Sequence, residues 1–336
     1  MTTQPTRRRL LAGSAAALFA ASALVSGSAW AQTTLTLGHG AAPGNPRSVA
    51  AEKFAELVAE KTGGEVTVNI AGSEQLGNDV AMLTSLRTGA LDLTANSQGA
   101  ASGLVPELSA LGLPFLFESA DEAFAVLEGP IGEELASKFQ DLGIITLAWW
   151  DNGIRHITTK QTPVTEPADL QGLKIRTPAD PITIDIFQAL GAATEQIAFS
   201  ELYVALQQGV VDGQENPLAN IASSKLYEVT PHISLSAHKW ESTPFLASQI
   251  AWARLTPEQQ AAVQEAAIEA GELQRQLMAE ADKTLLAGFE EDPNVEVHEV
   301  DREAFKEATQ PVIEAWKEKE FGDFVTRVVE AAQAQG

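Results

Sequence analysis

The sequence predicts an α/β protein built of two domains, and three observations carry this. At 336 residues the chain is too long for one ordinary core and suits two. Over residues 35–94 short apolar runs alternate with helical patterns, which implies a largely parallel sheet flanked by helices. A helical pattern over about 256–289 would span about 45–50 Å at 1.5 Å per residue. That is longer than one small domain is wide, so the helix is expected to lie along both.

In order, Leu35-Thr36-Leu37-Gly38 reads as the first strand. A helix follows, with Asn45 as cap and Pro46 at its first position. Val49, Phe54, Leu57 and Val58 form its apolar stripe, and Gly63-Gly64 stops it. Residues 65–70 alternate, with Val66, Val68 and Ile70 on one face, as a second strand. A loop over 72–78 leads to a helix at 79–87 ended by Gly89, then to a third strand at 91–94. Ligands of such sheets sit outside the carboxyl ends of the strands. Here that means the loops near His39, 72–78 and Asn96-Ser97-Gln98.

Further along, Ser119 and Glu122 form a capping box, and Pro130 opens a helix ended by Gly143. Residues 144–150 are a long apolar strand, and Asp151-Asn152-Gly153 reads as a turn. Gln171-Gly-Leu-Lys-Ile-Arg-Thr-Pro178 is a short buried strand ending in an arginine. Helices are expected at 180–190 and, capped by Ser200, at 201–208. Val210-Val211 reads as a strand that passes into a turn and loop. Strands at 233–235 and 246–252 return toward the first domain. Thr256-Pro257-Glu258-Gln259 gives the long helix a cap, a first-turn proline and a capping-box glutamine. Residues 294–300 form a last strand, and the rest is helical.

Composition bounds the function. The first 31 residues carry Arg7-Arg8-Arg9-Leu10-Leu11, an apolar stretch at 15–25 and the small-x-small site Ala29-Trp30-Ala31. This is an export signal, of the twin-arginine or the general secretory kind. Its removal takes away three arginines and moves the net charge from −23 to −26. Such acidity argues against nucleic acid and anionic membranes as partners. No apolar run is long enough for a stable membrane span. There is no cysteine, so disulfides, thiol chemistry and thiolate metal sites are excluded. The five histidines have no metal-ligand spacing, and neither a nucleophile elbow nor a glycine-rich phosphate loop occurs. No metal and no cofactor are expected, and the protein is read as a periplasmic one that is not an enzyme.

The polar residues at predicted strand ends are the candidates. Arg176 sits rigidly at the rim of a sheet, and its planar fork matches a carboxylate in two parallel hydrogen bonds. It would hold a small organic acid, or else belong to a structural ion pair. Arg155 and Asn216 would converge on the same edge. The alternatives are a structural arginine and a helix cap. Phe199 would lay its ring on the ligand's carbon skeleton or fill the core. Of Trp149 and Trp150 one should face core and the other the cleft, and Trp240 could do either. In the first domain His39, Asn78 and Asn96 lie in strand-end loops where they would contact ligand, His39 being otherwise a surface histidine. Glu74, Asn78 and Asp79 would accept from ligand hydroxyls or else form a polar loop and helix cap.

Four segments carry a resemblance: Trp150-Asp-Asn-Gly-Ile-Arg155, Asp169-Leu-Gln-Gly-Leu-Lys-Ile-Arg176, Phe199-Ser-Glu-Leu-Tyr-Val-Ala-Leu-Gln-Gln-Gly209 and Val211-Asp-Gly-Gln-Glu-Asn216. In their order and spacing the mature chain resembles the solute-binding subunits of tripartite ATP-independent periplasmic (TRAP) transporters, of the C4-dicarboxylate- and sugar-acid-binding type. The resemblance implies a two-lobed, type II-like periplasmic binding protein that closes on an organic acid. Each lobe would be a mostly parallel sheet flanked by helices, with the long helix spanning both. It implies that Arg176 grips the carboxylate, that Asn216 binds, that Arg155 or its neighbour His156 supplies a second cation, and that Phe199 contacts ligand. His238-Lys239-Trp240 follows the family's histidine–aromatic pattern only approximately. The lobes are expected at 32–152 with 242–280 and at 153–241 with 281–336. The expected role is capture of a sugar acid or C4-dicarboxylate by a monomer and delivery to a TRAP-type permease. The tryptophans tilt the choice toward a sugar acid. The alternatives are an exported enzyme acting on an organic acid and a sensory protein that presents its ligand to a receptor.

Overall fold

The structure, a computed structural model, describes residues 32–335. The export segment expected over residues 1–31 lies outside the described residues. The strands are β1 (Thr33–His39), β2 (Val66–Ala71), β3 (Leu93–Ala95), β4 (Ile144–Thr159), β5 (Lys174–Thr177), β6 (Ala193–Gln196), β7 (Gly213–Asn216), β8 (His232–Ser248) and β9 (Glu296–His298). They form one sheet in the order β2-β1-β3-β8-β4-β7-β5-β6, with β9 beside β8. At one end β2, β1 and β3 run parallel. At the other β7, β5 and β6 do. Between them β8 and β4 cross, antiparallel to each other and to the groups they join.

Local chemistry explains most of the elements. Asn45 caps the helix Pro46–Lys61 by accepting from Arg47 N. Gly89, at φ 75°, closes the helix Asp79–Thr88, a left-handed position that a side chain would strain. Thr256 and Gln259 form both bonds of the capping box that opens the helix Pro257–Glu291. This helix runs 35 residues, or about 52 Å. Its Val263, Ala266, Ala267 and Ala270 join the apolar cluster around Phe54 and Phe245. Its Phe289 joins a separate cluster around Leu202 and Ile233. A third cluster holds Phe117, Phe139, Ile157, Ile175, Phe187 and Trp240.

Four departures from the sequence reading have physical causes. Asp151-Asn152-Gly153 does not turn the chain. β4 runs through it for 16 residues, and the register steps from Asp151↔Ser242 to Gly153↔Glu241. Gly153 has φ 105°; an Asn-Gly pair supplies a positive φ, which serves a bulge as well as a turn. The two strands expected at 233–235 and 246–252 are one 17-residue strand, β8, followed by the short helix Gln249–Trp252. The strand expected at Val210-Val211 starts later, at Gly213, where pairing with β4 and β5 begins; Val210 faces solvent, and Val211, though buried, precedes the ladder. Finally β6 was not expected. Its Ala193-Thr-Glu-Gln196 is largely exposed and shows no apolar pattern, so pairing with β5 decides it.

Candidate functional site

Both parallel groups end at one place. Gly40 and Ala41 follow β1, Ser97 follows β3, Pro178 follows β5, and Asn216 ends β7. All line a cavity of about 430 Å³. A second hollow, of about 590 Å³, adjoins it. The two share Asp79, Ser97, Arg176, Pro178 and Phe199 as walls. The crossing strands add Asn152, Arg155 and Glu241. The β4 bulge matters here. As the extra residue, Asn152 is re-aimed: its amide donates to Glu241 at 2.8 Å and its oxygen accepts from Arg47 Nη2 at 2.6 Å.

Three guanidinium groups reach the first cavity, and they differ in what they hold. Arg155 is fully engaged. Glu215 meets it through both Nε and Nη2, Glu241 accepts from Nη1 at 2.9 Å, and Asn216 Oδ1 lies 3.2 Å from Nη2. Burial alone would lower the pKa of Arg155, but Glu215 and Glu241 outweigh it and hold the value above the ordinary one. Burial would likewise raise Glu215 and Glu241. The adjacent Arg155 and Lys239 hold both below the usual carboxylate range. Lys239 completes this layer with Asp180 at 2.6 Å and Glu241 at 2.8 Å.

Arg176 is different. It is only 3% exposed, and Nε donates to the Ile197 carbonyl at 2.9 Å. Among the described residues no carboxylate forms an ion pair with it. Burial pulls its pKa down to about 10, so it stays charged at neutral pH. The Phe199 ring centroid lies 5.9 Å from its guanidinium carbon. Arg47 is the third cation, lowered chiefly by burial and partly restored by Asp79. Asp79 in turn is raised by burial against the pull of Arg47.

Of the other expected site residues, Asn78 lines the second hollow while capping its helix through Ala81 N at 2.9 Å. Asn216 lines the first and accepts from Asn220 at 3.1 Å. His39 and Asn96 are fully buried just behind the walls. Asn96 donates to the Asp79 carbonyl at 3.1 Å, and burial, then Arg47, lowers the His39 pKa to about 4. Trp240 is not on the wall. Its ring packs edge-on against Phe117 and Phe124 and its Nε1 donates to Asp151 at 2.8 Å, so its position on the apolar side of β8 makes it core. Trp149 and Trp150 fall into different apolar clusters, as alternation requires, but neither lines either hollow.

Sequence reasoning missed Arg47, Asn152, Asn220 and Glu241. A signal existed for Arg47. It lies in the first turn of a helix that has no acid there, where the helix dipole disfavours a cation, so something else must require it. Glu74 ties the walls together: its Oε2 accepts from Ser200 N at 2.8 Å.

Comparison with known proteins gives three kinds of match. Residues 37–320 match the family described as bacterial extracellular solute-binding protein, family 7. An uncharacterized protein of Sinorhizobium fredii is 68% identical over 312 residues, covering 92% of this chain, and the chain spans only 57% of that protein's length. The 2,3-diketo-L-gulonate-binding periplasmic protein of Escherichia coli is 34% identical over 293 residues, 87% of this chain and 89% of its own. Among solved structures, the sugar acid binding protein of Advenella mimigardefordensis in complex with galactonate superposes with a TM-score of 0.87 at 33% identity, over 90% of this chain and 98% of that one.

Proposed function

The chain belongs to family 7 of the bacterial extracellular solute-binding proteins, and from that membership we propose that it captures a small organic acid in the periplasm and delivers it to the permease of a TRAP transporter. The family is one of binding proteins, not of enzymes, so the reading assigns capture and release with no chemical step. Sugar acids are the favoured class. They are the commoner class among the matches with named ligands. Some of these bind a diketo-gulonate, galactonate, galacturonate or glucuronate, while others bind C4-dicarboxylates or succinate. C4-dicarboxylates remain the second class.

One observation carries this reading: Arg176 is a buried cation that forms no ion pair with a carboxylate among the described residues. Burying an unpaired charge is costly, and a carboxylate arriving with two parallel hydrogen bonds offsets that cost. Phe199 then covers the ligand's carbon face, and Asn216 with Asn78 meets its hydroxyls. Arg155 is assigned a supporting part, because its own carboxylates already occupy its fork. We assign residues 32–152 with 242–280 to one lobe and 153–241 with 281–336 to the other. Closure of the lobes would exclude water and strengthen the ion contact.

A thermal-shift panel of aldonates, uronates, keto acids and C4-dicarboxylates ranks the ligands, since binding raises the melting point in proportion to RT ln(1 + [L]/Kd). Calorimetry with the best acid then tests the grip. Arg176→Lys keeps charge but loses the fork, and should weaken binding at least about tenfold. Unchanged affinity would take Arg176 out of the site, and a panel with no stabilising acid would overturn the function.

A further inference from the structure

Three metal-ligating side chains far apart in sequence meet at the β8–β9 pair, away from the cavity. The strands run parallel, with His232 opposite Glu296 and Ser234 opposite His298. Residues two apart on a strand share a face, so Glu296 and His298 project on the side of His232. His232 Nδ1 lies 3.3 Å from His298 Nε2 and 3.5 Å from Glu296 Oε2. His298 Nε2 lies 3.8 Å from that same oxygen.

A tetrahedral zinc ion with bonds of about 2.0–2.2 Å keeps neighbouring donor atoms about 3.3–3.6 Å apart. The triangle of His232, Glu296 and His298 is already close to that size. Two imidazole nitrogens facing each other can share a single proton, whereas an ion between them uses both lone pairs. We propose that His232, Glu296 and His298 form a site for a divalent transition metal of the zinc type. Two imidazoles and one carboxylate favour zinc, nickel or copper over calcium or magnesium. The imidazoles are mostly enclosed, with side-chain exposures of 15% and 20%, while Glu296 at 67% comes in from solvent. The fourth position is therefore left to water. An ion there would clamp β9, three residues long, onto the sheet just after the long helix.

The test uses the untagged full-length chain, stripped with a chelator and titrated with zinc chloride. The expected result is saturable uptake of one zinc per chain with a rise in melting temperature that EDTA reverses. Cobalt(II) should give the visible absorption of a nitrogen-ligated tetrahedral site. His232→Gln with His298→Gln should abolish uptake while leaving the circular dichroism in EDTA unchanged, and Glu296→Gln should weaken it at least tenfold. If the double variant does not fold, the cobalt spectrum of the wild type decides. Absence of saturable zinc uptake, equal uptake by the double variant, or a cobalt spectrum of the aqueous ion would overturn the proposal.

Discussion

Arg155 and Arg176 show how one side chain serves two ends. Arg155 is held on several sides by Glu215 and Glu241, and removing one partner would strand a buried charge. Glu215→Gln should therefore cost about 3–5 kcal/mol in denaturant unfolding. Arg176 has no such partner among the described residues, so its burial is a cost in the ligand-free protein. Arg176→Met should leave the ligand-free melting temperature unchanged or raised while abolishing binding of the best acid. A drop as large as that of Glu215→Gln would mean that Arg176 is a structural residue after all.

At the scale of elements, the bulge in β4 is the feature on which the site turns. It carries Asn152 from the strand's pleat to the cavity wall, between Arg47 and Glu241. Gly153 makes it possible at φ 105°, and a Cβ there would stand 2.8 Å from Met278 and 3.2 Å from Pro217. Gly153→Ala should cost about 1–3 kcal/mol and weaken acid binding as well, read by thermal unfolding and calorimetry on the same variant. A loss of stability with full affinity would separate the bulge from the site. The long helix is set by simpler means, and its capping box with first-turn proline was legible at once.

For the whole molecule, buried titratable groups pull the pH profile in opposite directions. Burial holds His39 at about 4, against its usual 6.5. The unfolded chain thus binds a proton that the folded one refuses, and stability present above pH 6.5 is lost as pH falls toward 4. Asp151 behaves oppositely. Burial raises it from 3.8 to about 7, so the folded form keeps a proton that the unfolded one releases, and stability falls as pH rises from 4 to 7. Relative to wild type, His39→Asn should gain about 3 kcal/mol on going from pH 6.5 to 4, and Asp151→Asn about 4 kcal/mol on going from pH 4 to 7. Denaturant unfolding across that range checks both, and parallel profiles for variants and wild type would refute the assignment.

The sequence by itself determined the α/β class, the caps Asn45 and Thr256, the glycine stops at Gly89 and Gly209, the long helix and the arginine at the end of β5. Each of these rests on local chemistry: an apolar period, a capping side chain, a glycine that must take positive φ. The cap expected at Ser200, by contrast, falls inside a helix that starts at Phe199. Only the tertiary structure decided which of Arg155 and Arg176 is without an ion pair among the described residues. Arg155 and Arg176 look alike in the chain, and their difference is made by Glu215 and Glu241, which reach Arg155 through strand pairing. The same holds for β6 and β7, whose polar residues carry no apolar signal, and for Arg47 and Asn152, which a helix start and a bulge bring to one wall. Long-range contacts settle where a charge is compensated, and a linear pattern holds no record of them.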